Sequence, residues 1–545
     1  MKSIWIWVLS LPAALLVWWV ATGDRREAVA RETPQAVQTT GGQTQVDRAN
    51  EFDGSPGDLS TIRTDMVVTP ARLQVRALLG SQPTAVLTLE SPQSGTFLLA
   101  RPTAGALEQG PAITRIDDRN FRIQVRVAAG LAEGTHAGYV ELKTCLDEAC
   151  VNEIQRGTLY VPFEVVIEDP ANITLGEWET FQRDAGHTGY VPATFQPRSF
   201  AYKWEWRRPT GAIHTVATAP GLVFVSDDQY FGSPSLRALR ENDGSLVWQK
   251  TFQNYPALNP PAAANGKVYV TTTGHQQTFL WAFHAGTGVP VFQNTFEAQW
   301  PRVLAPTIRD GRVYTNGGYY GGGVYAYNDT TGDLMWSMFS GDDDMSTPAV
   351  DDSRAYYYDG TALVTYDTAT GVRLSSTSDP YNPGQGYSYH GAPMLGRADS
   401  VTAFSGGGGS YRSTRPLVNY SVINNATRWR TMRTYITQPA TAKGILYASS
   451  NAPKSFDAID ETTGQILWSW VPQPSDVSFH HNVVVTDNLV FVSTDRAVYA
   501  IDLATRQPVW SYQAPGKLAI SGGGTLYIVE GVDQPTGRLI AIALK

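Results

Sequence analysis

Residues 324–336, VYAYNDTTGDLMW, hold a spacing that returns through the C-terminal two thirds of the chain: a small residue, a Gly six positions on, and a Trp four beyond that. The series runs Ala238, Gly244, Trp248; Ala282, Gly288, Phe292; Ala326, Gly332, Trp336; Thr365, Gly371, Ser375; Asn419, Asn425, Trp429; Ala458, Gly464, Trp468; Ala500, Arg506, Trp510. Seven copies keep the spacing, although the fourth lacks its aromatic and the fifth and seventh lack their Gly. One copy has the pattern of a β-hairpin. Alternation in Val324, Tyr325, Ala326 and Tyr327 suits a strand, Asp329 to Gly332 suits a turn in which Gly takes positive φ, and Asp333 to Trp336 returns as the partner strand.

A second hairpin precedes each of these. It starts from an inner strand marked by Pro261, Pro306, Pro348, Pro393 or Pro439 and passes turns such as Asn265-Gly266 or Asp310-Gly311. Four short strands per unit, at a period of about 40 residues, is the signature of a β-propeller blade, whose stacked faces bury what one sheet leaves open. Units begin at 213, 253, 297, 341, 379, 433 and 474, and an eighth starts at Gly516 but reaches Lys545 with no Trp strand of its own. The missing strand is available upstream in residues 202–207, YKWEWR. The spacing therefore predicts an all-β, eight-bladed propeller in which those residues complete the last blade and remove the free edges.

The pattern A-x-D-x-x-T-G-x-x-x-W, clearest as Ala458, Asp460, Thr463, Gly464 and Trp468, resembles the pyrroloquinoline quinone (PQQ) type propeller repeat. The segment at 178–189, WETFQRDAGHTG, resembles the lead-in common in that superfamily. The resemblance covers residues 175–545 and implies a quinoprotein alcohol dehydrogenase-like propeller. The superfamily holds both quinoprotein dehydrogenases and non-catalytic scaffolds similar to the outer-membrane assembly lipoprotein of Gram-negative bacteria, so the fold alone does not choose between them. In the dehydrogenases the resemblance implies adjacent cysteines near the quinone, a Ca²⁺ held by acidic and amide side chains, and an Asp base. This chain has no adjacent cysteines, and its inner-strand positions offer no Glu and Asp only at the mouth. No catalytic residue, cofactor or metal is therefore expected.

The front of the chain has a different character. Residues 4–21 are apolar behind Lys2 and end in Trp18-Trp19, an export segment within residues 1–30 that serves as a cleaved signal peptide or as a membrane anchor. Residues 31–60 are polar and without period, which fits a flexible linker. Across 61–169 strands return at 67–75, 84–89, 96–99, 121–127, 138–144 and 158–166, suggesting a small Ig-like β-sandwich before the propeller at 175–545. Cys145 and Cys150 flank a tight turn between two of these strands. A hairpin disulfide in an oxidising, periplasmic or cell-envelope compartment is the expectation. A net charge of -8 without basic runs argues against nucleic acid.

Aligning the units puts His214, Asn259, Leu304, Ser346, Gly391, Thr437 and His481 in one ring around the channel, with His390 and His480 in the next. A ligand-binding channel mouth is expected from Tyr255, Trp300, Arg302, Asp344, Tyr387, Tyr389, His390, Tyr435 and His480. Alternation along a strand lets only one of His480 and His481 face the channel. The acidic run Asp342, Asp343, Asp344 lacks a Ca²⁺-loop pattern, and the Gly run at 406–409 lacks the Lys of a phosphate loop. Together these readings favour a non-enzymatic scaffold for a protein, peptide or glycan partner, the alternative being a PQQ-dependent dehydrogenase with Ca²⁺.

Overall fold

The computed structural model describes residues 64–169, 175–275, 278–298, 303–317, 322–339, 345–381, 392–397, 399–406, 414–530 and 537–545. The export segment and linker read at 1–60 lie outside them.

Residues 67–168 form two four-stranded sheets. Val67–Thr69, Thr84–Glu90, Asn120–Arg126 and Ala112–Arg115 make one; Leu73–Leu78, Glu153–Glu168, Gly134–Cys145 and Phe97–Pro102 make the other. Period-two patterning sends Leu87, Leu89, Ile123 and Val125 from one sheet, and Val140, Leu142, Val161 and Val165 from the other, into a shared core. The stretch at 67–75, read as one strand, is two: Val67–Thr69 pairs with Thr84–Glu90, whereas Leu73–Leu78 crosses to the second sheet and runs parallel to Glu153–Glu168. A strand at Ala112–Arg115, exposed along its whole length and so without alternation, was not legible. Cys145 and Cys150 are joined as a disulfide at the tip of the hairpin between Gly134–Cys145 and Glu153–Glu168, with Cα atoms 5.1 Å apart.

From residue 201 onward the described chain is a β-propeller of eight sheets, each with four antiparallel strand positions from inner to outer; the inner strand is split in two in the first two sheets, and Tyr190–Val191 adds a parallel strand to the inner edge of the seventh. The first seven span 212–251, 257–295, 307–339, 349–378, 394–435, 440–470 and 479–512. The eighth takes three strands from 517–543 and its outer strand from Ala201–Arg207, which pairs antiparallel with Arg538–Ala543. Trp204 stands opposite Ala541 there, just as Ala238 stands opposite Trp248, Ala326 opposite Trp336 and Ala458 opposite Trp468 within their own blades. A register shift follows the small residue in each of these repeat blades, so the repeated spacing encodes a bulged hairpin.

The Gly and the Trp of the repeat meet between blades, not within one. Gly464 has φ +71°, and a Cβ on it would lie 2.7 Å from the indole of Trp429 in the preceding blade. Gly244 is covered in the same way by Trp204, Gly288 by Trp248, Gly332 by Phe292 and Gly371 by Trp336. The indole Nε1–H then donates to the carbonyl three residues before that Gly: Trp204 to Glu241 (2.8 Å), Trp248 to Ala285 (2.8 Å), Trp336 to Thr368 (2.9 Å) and Trp429 to Glu461 (2.9 Å). The exceptions follow from this geometry. Blade four carries Ser375 instead of Trp, so the partner position in blade five is released from Gly and holds Asn425 at φ 47°. Blade seven holds Arg506, whose guanidinium lies over the Trp468 ring at 5.9 Å. Trp510 has no following repeat Gly and meets the Phe200 ring edge-on at 5.4 Å.

Candidate binding face

The segment leading into the propeller closes one end of its channel. Thr218 N–H donates to Trp178 O (2.9 Å), Ala263 to Glu179 (2.7 Å), Val350 to Ala185 (2.7 Å), Leu395 to Gly186 (2.8 Å), Thr441 to Thr188 (2.8 Å) and Val485 to Gly189 (2.9 Å). Thr180 Oγ1 donates to Pro306 O (2.6 Å), and Gly522 N–H donates to the Glu177 carboxylate (3.0 Å). These eight bonds touch all eight sheets, near the ends where inner strands turn into second strands. The inner-strand prolines supply the acceptors for the segment's side chains: Pro306 for Thr180, Pro393 for His187 (2.8 Å) and Pro439 for Gln182 (2.8 Å).

His187 is fully buried in this plug. Because a prolyl carbonyl only accepts, Nδ1 carries the proton, and Nε2 accepts from Thr307 Oγ1 at 3.1 Å. Burial holds its pKa down at about 4, so the ring is neutral.

The aligned ring is used up laterally. His214 Nε2–H donates to Leu258 O of the next blade (2.8 Å), Asn259 Oδ1 accepts from Val303 N–H of the blade after (3.3 Å), and Leu304 N–H donates to Ser346 O (3.2 Å). Thr437 Oγ1 accepts from Ser449 N–H within its blade (2.8 Å). His214, Asn259, Leu304, Ser346 and Thr437 are all buried.

Of the expected mouth residues, Trp300, Arg302, Asp344, Tyr387, Tyr389 and His390 lie outside the described residues, as do Asp342, Asp343, Gly391 and Gly407–Gly409. Tyr255 packs in an aromatic cluster with Phe252 (6.0 Å), Phe279 (6.0 Å) and Trp281 (5.6 Å). Tyr435 is buried rather than at a mouth. The outer strand of blade five, Ala426–Tyr435, runs longer than its repeat unit and carries this ring inward, where its hydroxyl donates to Asp457 at 3.1 Å. Burial, seconded by that carboxylate, pushes the hydroxyl's pKa up. Asp457 also pairs with Arg433 at 2.6 Å.

His480 is half-buried at the start of the inner strand of blade seven. The alternation argument for His480 and His481 does not hold here. His481 takes φ +71° at a register shift between His480 and Val483, and the two rings lie 5.6 Å apart, tilted toward each other. His480 Nε2 lies 2.6 Å from Oγ of Ser478, the residue just before the strand.

In an antiparallel four-stranded blade, the joins between second and third strands, and those leaving the outer strand, share one face of the ring. That face is opposite the plug. Its described residues include exposed Phe231, Phe339, Tyr381, Val471 and Val477, with Phe339 78% and Val477 71% exposed.

The repeat and the plugged ring accord with a profile of PQQ-type repeats described as outer membrane protein assembly factor BamB, which matches residues 198–293, 232–470 and 458–545. The chain belongs to this family. Among solved structures, BamB from Moraxella catarrhalis is similar at 15% identity and a TM-score of 0.47, covering 63% of this chain and 99% of that one. Two curated relatives of this family member are named tetrathionate hydrolase. The one from Acidianus ambivalens is 31% identical over 160 residues, 29% of this chain; the one from Acidithiobacillus ferrooxidans is 22% identical over 361 residues, 58% of this chain. The alignments span 25% and 64% of those relatives' lengths.

Proposed function

We propose that the protein is an extracytoplasmic scaffold that docks a protein or peptide partner on the open face of its propeller. The observation that carries this reading is the division of labour between the two ends of the ring. One end is sealed by the chain's own residues 177–189, bonded to every blade, and the other exposes Phe231, Phe339, Tyr381, Val471 and Val477. Isolated apolar side chains are ordinary on a surface, but several on one rim suit an interface. Membership in a family named for outer membrane assembly, together with the Cys145–Cys150 disulfide, supports placement in the cell envelope. A glycan partner is compatible with the same aromatic rim.

The test is photo-crosslinking in the native envelope from position 339, with position 265 on the plugged face as control. A discrete adduct from 339 alone is expected. Equal or absent crosslinking from both positions would remove the reading. The scaffold reading also predicts that PQQ with Ca²⁺ produces no saturable absorbance change and no dye reduction with alcohols.

A second reading, polythionate hydrolysis, is favoured by the similarity to the two tetrathionate hydrolases. Consumption of tetrathionate by the purified chain would replace the scaffold with an enzyme.

A further inference from the structure

On the open face, a serine and a histidine stand in the relation of a nucleophile to its base. Ser478 and His480 are both half-buried. Ser478 immediately precedes the strand Phe479–Thr486, and its Oγ lies 2.6 Å from His480 Nε2. That is within the range in which a hydroxyl proton passes to imidazole.

The backbone around the pair is held from both neighbouring strands. Asn451 of blade six clamps Phe479, with its Oδ1 accepting from Phe479 N–H (2.7 Å) and its amide donating to Phe479 O (3.3 Å). Asp495 accepts from Val477 N–H (2.8 Å) and Ser478 N–H (3.1 Å). Burial would raise the Asp495 pKa, but these bonds outweigh it and hold the carboxyl below its usual value, so it remains a charged acceptor. Phe479 is fully buried between Trp470 and the blade core, which fixes the residues on either side of it. The His481 ring, 5.6 Å from that of His480, restricts the imidazole further. The plug reaches the same strand just beyond the pair: the Asn482 amide donates to Gln182 Oε1 (2.7 Å) and the Val483 carbonyl accepts from Gln182 Nε2 (3.2 Å), which fixes the backbone two residues after His480.

We propose that Ser478 and His480 form a nucleophile and general base able to cleave a small carboxylic ester. Ser478 Oγ bonds to the ester carbonyl carbon while its proton moves to His480 Nε2. The bond from that carbon to the alcohol oxygen breaks, and the alcohol leaves with the proton. Water then adds to the acyl-serine, giving one proton to His480. The serine ester bond breaks, releasing the carboxylic acid and restoring the hydroxyl. No electrons change hands and no co-reactant beyond water is needed.

The test uses the full chain with a fluorophosphonate probe, read by intact mass and peptide mapping, alongside p-nitrophenyl acetate turnover. The expected result is one adduct on Ser478, absent in Ser478→Ala. Labelling in His480→Gln should be slower by about a hundredfold, the scale of lost general-base catalysis. The labelling rate of the unaltered chain should rise through a single ionisation that His480→Gln abolishes. Absence of an adduct on Ser478 in folded protein would overturn the proposal. So would equal labelling rates and pH profiles with and without His480, because a merely structural Ser–His contact leaves the pH profile unmoved. Variants with lowered melting temperatures are replaced by His480→Asn, and the same criteria apply.

Discussion

Replacing Gly464 and Gly266 by Ala separates two reasons for a repeat glycine. Both have nearly the same backbone, φ +71° and φ +73°. An Ala in the left-handed region costs about 1–2 kcal/mol at either position. At Gly266 nothing lies within 4 Å of the added Cβ, so the cost ends there. At Gly464 the methyl would lie 2.7 Å from Trp429 Cδ2 and 2.8 Å from Cε3. The indole must move, straining its Nε1–H bond to Glu461 O (2.9 Å) and opening the packing between blades five and six. Overpacking of this kind adds about 1–3 kcal/mol, and a lost buried hydrogen bond about 1 kcal/mol. Gly464→Ala should therefore cost about 3–6 kcal/mol against about 1–2 kcal/mol for Gly266→Ala. Urea unfolding followed by tryptophan fluorescence measures both. Equal destabilisation would refute the claim that the repeat Gly exists to receive the preceding blade's Trp.

Three further outcomes follow from the same structure. His187 is neutral when folded, with its pKa depressed from 6.5 to about 4, so the unfolded chain binds the extra proton; stability is complete above pH 6.5 and declines as pH falls toward 4, by about 3 kcal/mol. Stability against pH in that window should flatten in His187→Gln. Removing the disulfide with Cys145→Ser and Cys150→Ser releases a short loop of sequence separation 5 and should cost the strands at 67–168 about 2 kcal/mol by chemical unfolding. Arg433→Ala leaves the fully buried Asp457 without its cation and should cost about 3 kcal/mol, whereas the double variant with Asp457→Asn should recover part of that loss.

The propeller was legible because its strands are short, alternate cleanly and repeat a spacing that pairs a small residue with an aromatic across one bulged hairpin. The closing strand was legible from residues 202–207, since an unpaired aromatic strand upstream matched a missing one downstream. The contact between Gly and aromatic of successive blades was not, because it joins positions 35 to 40 residues apart that one repeat read by itself keeps separate. Asn425 and Arg506 looked like decay of the pattern until the neighbouring Ser375 and Trp468 gave each a physical reason. The plug was present in the sequence as residues 178–189, but most of its bonds to the blades join its carbonyls to backbone N–H groups, which any residue can supply. Strand position alone did not give the surroundings of the described site residues. Tyr435 entered the interior on a lengthened outer strand, Tyr255 joined an aromatic cluster, and a left-handed residue at His481 cancelled the two-residue alternation on which the choice between the histidines depended.

The ring is closed by pairing the strand Ala201–Arg207 with Arg538–Ala543, in which Arg207 and Arg538 are Cα partners despite lying near opposite ends of the propeller sequence. Introducing Arg207→Cys together with Arg538→Cys and mapping disulfides by mass spectrometry tests this most directly. A bond between the two new cysteines should form on exposure to air, and the folded protein should retain no free thiol. Two thiols that stay freely titratable in folded protein would contradict the closure, and with it the account of how the repeats become one propeller.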